Sequence, residues 1–227
     1  LKDKRAKAFR QILSDAVREK LAAGICPDTI LPLFRETLVF SQTLISELEA
    51  SGDSPAVACK SGCFLCCHSR VSVIPLEALL MAEFVAAKFS RSQVDELVKR
   101  IHRAHDLTQG KTDKQIYTLK TVLPCVFLEG GRCSVYEARP SICRAWNAFD
   151  AADCRSAYDS ADYRARVASS PARRLVFGAA RDLFQQLSVE SVLQHHTLTL
   201  CDAMADCLLS SDPLVSWARG DDIFHYN

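Results

Sequence analysis

No apolar run in this 227-residue chain approaches the ~20 residues that cross a bilayer, so nothing points to a membrane partner. Neither sign of charge is in excess. The 28 Lys and Arg against 27 Asp and Glu leave a formal charge of +1, which supplies no field for collecting nucleic acid. Ser-His-Asp chemistry, a G-x-x-x-x-G-K phosphate loop and a dinucleotide fingerprint are all missing, and Gly130-Gly131 reads as a turn. No repeat, low-complexity tract or linker breaks the chain. It is read as one mostly α domain over 1–227, with a hydrophobic content of 48% that suffices for a sizeable core. The first residues, Leu1-Lys-Asp-Lys-Arg-Ala-Lys, lead into an amphipathic pattern rather than a signal-peptide core. The start at Leu1 rather than Met is read as trimmed, and a cytoplasmic location is the expectation.

Cysteine, by contrast, is abundant. There are eleven, an odd number that suits a disulfide framework poorly, and in a reducing cytoplasm clustered thiols mean metal or redox chemistry. Four fall within nine residues, Cys59-Lys-Ser-Gly-Cys63-Phe-Leu-Cys66-Cys67. Short loops close such a site at little entropic cost, and Gly62 lets the backbone bend just before Cys63. Adjacent Cys66 and Cys67 are expected to diverge, serving two sites or one as ligand and one as support. Cys125, Cys133, Cys143 and Cys154 complete a candidate ligand set of eight, and metal binding is expected to be coupled to folding. Soft thiolates select zinc or an iron–sulfur cluster. Zinc favours paired C-x2-4-C knuckles, whereas an iron–sulfur cube tolerates dispersed ligands, so a [4Fe-4S]-type centre is favoured and zinc is the alternative.

The flanks read as helical. Phe9, Ile12, Leu13, Ala16, Val17 and Leu21 recur at helical spacing before Gly24, and Leu31, Phe34, Leu38, Ile45 and Leu48 do so between Pro27 and Gly52. Pro75 opens a helix through Leu76 to Phe89, and Ser90 or Ser92 caps another to about Leu107. Pro171 opens Ala172 to Leu187, a last long helix is expected over Ser188 to Leu209, and Pro213 to Arg219 reads as a short one. The cysteine-rich loops are placed between an N-terminal and a C-terminal helical layer. Val71 to Ile74 reads as extended, and Cys125–Leu128 and Cys133–Tyr136 read as one small β-hairpin. A two-residue loop would put Cys125 and Cys133 on opposite faces and a three-residue loop would put them on one face. If both serve one site, the odd-length loop is expected.

Other residues divide between chemistry and packing. Cys26, Cys201 and Cys207 read as small buried hydrophobes. His68 could replace a thiolate, although a lone histidine is more often a hydrogen-bonded bystander. His102, His105, His195 and His196 have no evident acidic partner and read as surface residues. Lys60, Arg70, Arg132, Arg139, Arg144 and Arg155 all lie near cysteines and could offset thiolate charge, or could be ordinary solvated charges. Pro140 could open a helical turn carrying Cys143 and Arg144, while Tyr136, Glu137, Arg139 and Trp146 are candidates to support the centre.

The spacing Cys59-x3-Cys63-x2-Cys66 also occurs in radical S-adenosylmethionine enzymes, but the alternating strand–helix pattern of their barrel is missing. The combination of Cys59-x3-Cys63-x2-Cys66-Cys67, Pro124-Cys125-Val-Phe-Leu128 and Cys133-Ser-Val-Tyr-Glu-Ala-Arg-Pro-Ser-Ile-Cys143-Arg-Ala-Trp-Asn147, extending to Asp150 and Cys154, resembles the YkgJ-type cysteine-cluster family. The resemblance covers about 57–155 and implies a cysteine-bound zinc or iron centre in a bacterial protein. A related cluster resembles the one in flagellin lysine methylases, although this chain is short for such an enzyme and shows no S-adenosylmethionine signature. Three functions stay open: a metal or cluster protein with a redox, metal-handling or enzyme-associated role, a structural zinc protein acting as an interaction module, and a cluster-dependent enzyme such as a protein methylase. A protein partner is left unidentified.

Overall fold

The protein is described by a computed structural model over residues 2–60 and 62–225; Leu1, Ser61, Tyr226 and Asn227 lie outside the described residues, as does any reading of the chain start. Among the described residues there are ten α-helices and two two-stranded sheets, so the expected mostly α fold with a small hairpin holds.

The helices are α1 (Lys2–Lys20), α2 (Pro27–Ala50), α3 (Pro75–Lys88), α4 (Arg91–Thr108), α5 (Asp113–Tyr117), α6 (Ser141–Ala145), α7 (Ala151–Asp159), α8 (Pro171–Glu190), α9 (Leu200–Leu209) and α10 (Pro213–Ala218). Their starts follow the chemistry of the sequence. Proline occupies the first turn of α2, α3, α8 and α10, where its missing N–H costs nothing. Ser90, not Ser92, caps α4, with its hydroxyl accepting from Gln93 and the Gln93 side chain returning to the Ser90 N–H. Along α1 and the turn that follows it the buried stripe is narrower than the pattern suggested, because Leu13, Val17 and Leu21 are buried while Ile12 is 69% exposed.

Helices from the two halves of the chain pack directly on one another: α1 and α2 on α8, α3 and α4 on α9. The cysteine loops therefore do not separate two layers as expected. Apolar helix faces bury more surface against each other than against polar loops. Phe34 of α2 and Phe184 of α8, both fully buried, meet edge to face with ring centroids 4.8 Å apart.

The helix expected over Ser188–Leu209 is broken. The chain leaves α8 after Glu190, Val192 adopts a positive φ of 58°, and helix resumes only at Leu200. Tertiary hydrogen bonds outcompete local helix here. Gln194 accepts from the N–H groups of Ile223 and Phe224, donates to the Phe224 carbonyl, and offers its own carbonyl to Trp217 Nε1. The segment ends in β4 (Leu198–Thr199), which pairs antiparallel with β1 (Ser72–Val73) inside the extended stretch. No strand at Leu198 was expected, since two residues carry no period.

The second sheet pairs β2 (Leu128–Glu129) with β3 (Arg132–Cys133), Leu128 opposite Cys133. Its loop has two residues, Gly130 and Gly131, at φ of 54° and 75°, a conformation that glycine adopts freely. The odd-length loop is thus overturned as a condition for bringing the two cysteines together. The ladder is too short for its alternation to reach Cys125, which precedes a turn closed by Leu128 N–H on the Cys125 carbonyl.

Candidate metal centre

Three segments carry the eight candidate thiols, and hydrogen bonds lace the segments together. In the first, Cys63 N–H closes a turn on the Lys60 carbonyl, with Gly62 at φ 85°. A single 3-10 turn, Leu65–His68, then presents Cys66 and Cys67. In the second, Cys125 N–H donates to the Cys67 carbonyl at 2.7 Å, joining the 124–135 segment to that turn. The hairpin folds back so that Gly131 lies against the Phe64 ring. In the third, α6 carries Cys143 and α7, packed on the 3-10 turn, carries Cys154.

Several positioning residues were not legible as such in the sequence. Glu77, 1% exposed, accepts from Ile74 N–H at the start of α3 and from Ser141 N–H at the start of α6, so one buried carboxylate sets both helix ends. Its place at the third residue after Ile74 is a visible capping signal, but its reach to Ser141 is not. Asn147 is buried, accepting from Ser170 N–H and donating to the Ala145 carbonyl. Beside it Ala58 N–H donates to the Ala148 carbonyl, and Ala148 N–H donates to Cys59 Sγ at 3.4 Å. Lys120 Nζ reaches the Ser160 carbonyl at 2.8 Å, the Tyr158 carbonyl and the Tyr117 hydroxyl, holding the C-terminal end of α7. The Lys120 carbonyl in turn contacts His68 Nδ1 at 2.6 Å, and the His68 ring packs edge-on against Tyr158.

The thiols are close enough to influence one another. Hydrogen bonding with the Cys67 thiol, then burial, raises the pKa of Cys66, so these neighbours interact rather than diverge as expected. A shared 3-10 turn brings the two sulfurs together. Burial pushes Cys125 up to about 12, with the Phe127 N–H opposing and Cys133, Cys201 and Cys66 adding. Cys143 is raised well above its ordinary value by burial, then by Cys125, Cys66 and Cys133. Burial also raises Cys133, against the Val135 N–H and Arg139. Cys154 reaches about 11 through burial and the thiols of Cys59, Cys63 and Cys66. Cys59 is raised by burial, partly offset by the Ala148 N–H.

All eleven cysteines are free. Among the described residues no three thiol, imidazole or carboxylate groups converge tightly enough to hold an ion in this arrangement. Protonated thiols gain nothing from closer approach, whereas a cation draws in thiolates and releases their protons. In kind and number the donors fit a thiophilic metal; closing a shell requires the sulfurs to move inward.

The nearby cations separate into two kinds. Lys60, Arg70, Arg132 and Arg155 are exposed, and Arg70 pairs with Asp113 at 2.9 Å. Arg144 is buried, its Nε donating to the Arg139 carbonyl, and burial lowers its pKa to about 10. Arg139 lies 4.0 Å from the Tyr136 ring, favours the thiolates of Cys66 and Cys133, and has a buried Nε with no hydrogen-bond partner. Tyr136 and Trp146 are about half exposed.

The remaining residues differ from expectation in part. Cys207 is buried, and Cys201 packs on the core while also lining a cavity beside the thiols. Cys26 is not buried: it is exposed at the N-cap of α2, its sulfur 3.2 Å from Thr29 Oγ1. His105 does have an acidic partner, Asp202, at 3.2 Å, supplied by a helix 97 residues away.

The cavity measures about 600 Å³ and is lined by Cys59, Cys63, Cys66, Cys125 and Cys154, with Tyr117, Tyr158, Tyr163 and Trp146 among its walls. No helix among the described residues is long and apolar enough to cross a membrane. No curated protein and no solved structure matches the chain. The CxxCxxCC family model, described as a putative zinc- or iron-chelating domain, matches residues 58–162, the segment that contains all eight candidate thiols and supports metal binding. That match agrees with the resemblance carried by the cysteine motifs: residues 58–162 are similar to the CxxCxxCC family.

Proposed function

We propose that the protein binds a thiolate-held metal centre through Cys59, Cys63, Cys66, Cys67, Cys125, Cys133, Cys143 and Cys154, with a [4Fe-4S] cluster favoured over zinc. The metal-binding core is residues 57–155 within one helical domain. One observation carries the reading: thiols from three separated segments gather around the Cys66–Cys67 turn, with Cys125 N–H bonded to the Cys67 carbonyl. Packing alone gives no reason to gather so many thiols beside one another. Their dispersed spacing favours the larger iron–sulfur unit, and the half-buried Arg139 supplies a cation that favours the thiolates of Cys66 and Cys133. A cluster supplies one-electron transfer and zinc a structural cross-link. The chain's own residues bring the donors, desolvate them and offset their charge.

A second reading is a cluster-dependent enzyme, and the cavity of about 600 Å³ opening on the thiols favours it over a purely structural zinc module. Anaerobic purification followed by elemental and acid-labile sulfide analysis tests the proposal. Brown protein with iron and sulfide in equal amounts supports the cluster. Colourless protein with stoichiometric zinc supports the alternative, and protein without either metal refutes both.

A further inference from the structure

We propose that the cavity beside the thiols binds a small organic anion with an apolar body, whose charged group pairs with Arg166 and Arg174. This rests on the reading of the cavity as a working site, names the class of molecule it takes, and uses none of the thiols.

Charge comes first. Six charged side chains line the cavity: Arg70, Lys120, Arg166 and Arg174 against Asp113 and Asp162. Arg70 and Asp113 cancel in an ion pair at 2.9 Å. The Asp162 carboxylate caps its own turn, accepting from Arg164 N–H at 2.9 Å. The Lys120 ammonium is held by the Tyr158 and Ser160 carbonyls, and the Arg174 guanidinium by the Ser169 hydroxyl. Those bonds orient the cations without neutralising them. The Arg166 side chain makes no hydrogen bond or ion pair among the described residues. The walls therefore carry a surplus of positive charge, with one guanidinium open to a charge-assisted bond.

The aromatic walls decide against a cationic guest. Lys120 Nζ lies 4.1 Å from the Tyr117 ring centroid and 5.2 Å from that of Tyr158, and Arg164 lies 5.0 Å from that of Tyr163. All three tyrosines line the cavity, so a cation seeking a ring would meet like charge at each. Leu65, Ile116, Leu123, Val167 and the half-exposed Trp146 supply apolar wall for the body of the guest. A volume of about 600 Å³ lies within the range of small-molecule sites.

One wall is also built to move. Residues 161–167 have no regular structure, and Tyr163 and Arg166 belong to them. The segment is tied at its ends, where the Ser160 carbonyl accepts from Lys120 and Tyr117 and the Ala168 carbonyl accepts from Phe149 N–H at 3.2 Å. Between those ties, among the described residues, its hydrogen bonds are all local. Few ties make local opening cheap, so a guest can enter without unfolding the helices.

Full-length protein as purified, titrated with anilinonaphthalene sulfonate and with its uncharged parent phenylnaphthylamine, tests the proposal by fluorescence. The expected result is one saturable site per chain that prefers the sulfonate about tenfold or more, the scale of a charge-assisted bond. Arg166→Gln should remove most of that preference and the double variant with Arg174→Gln all of it, with the affinity for the parent unchanged. Val167→Trp, filling the cavity, should weaken both probes. Phe40→Ser removes an exposed aromatic of α2 outside the cavity and should change neither. The arginine variants alter exposed side chains, so misfolding of Val167→Trp leaves the test intact. Equal affinity for the two probes, a preference that survives in the double variant, undiminished binding in folded Val167→Trp, or loss of binding in Phe40→Ser overturns the inference. Metal analysis of the same samples separates it from the metal reading. A sulfonate preference in protein holding neither iron nor zinc upholds this inference where the metal reading fails, and equal binding of the probes by metal-loaded protein does the reverse.

Discussion

A thiol held in a dry site keeps its proton, and the consequences differ for each cysteine according to its surroundings. Cys201 and Cys207 are outside the proposed ligand set, and burial raises both from 9.0 to about 12. In the unfolded chain these groups lose their protons near pH 9, while in the folded chain they retain them to about 12. Their contribution to stability is therefore complete below pH 9 and declines as the pH rises towards 12. Thermal melts of metal-free protein should fall across that window, and Cys207→Ala should make the fall shallower. Cys63→Ser or Cys66→Ser should lower metal content and melting temperature together, because a lost ligand weakens the metal's link to folding. Cys201→Ser should leave metal content unchanged. Elemental analysis of the purified variants checks all three, and full occupancy in both of the first two would refute the ligand assignment.

Among the elements, α7 depends most on a single side chain. Lys120 places its ammonium on the carbonyls of Tyr158 and Ser160 at the end of that helix, where the dipole and the unpaired carbonyls favour a cation. Hydrogen bonds to charged groups contribute about 1.5–3 kcal/mol. Lys120→Met should therefore cost about 2 kcal/mol and speed amide exchange in α7 more than in α8. Equal protection of α7 in variant and wild type would show that packing on the 3-10 turn holds it instead. The short helix α6 depends on Glu77 in a comparable way, since its first N–H is satisfied by a carboxylate from α3.

At the scale of the whole molecule, two kinds of cross-link act on the same chain. The apolar one joins α2 to α8 through Phe34 and Phe184, backed by the largely buried Arg173–Glu49 pair. Phe184→Ala should cost about 3–5 kcal/mol and leave the metal stoichiometry of the folded fraction unaltered. The proposed metal cross-link joins the 59–67 segment to residues 125–154. A strong chelator should lower the melting temperature of wild-type protein, and restoring the metal should recover it. Identical melts with and without metal would confine the centre to a role apart from folding.

The sequence alone determined the mostly α class, the starts of α2, α3, α4, α8 and α10, the Gly-Gly turn and the crowding of thiols between Cys59 and Cys154. These depend on local chemistry, such as proline at a first turn, Ser90 with Gln93, or four cysteines in nine residues. Only the tertiary structure decided what depends on contacts between distant residues. It broke the long helix at Val192 because Gln194 binds the 223–224 backbone, paired β4 with β1, and set α2 against α8. It also placed Glu77, Asn147 and Lys120 where they hold the thiol segments, and gave His105 its Asp202. The two-residue loop failed to separate Cys125 from Cys133 for the same reason: strand alternation extends only as far as the ladder, and a turn at Val126-Phe127 redirected the chain. Spacing along the chain fixes which donors are near in sequence, but a shell of thiols closes in space, where folding chooses the neighbours.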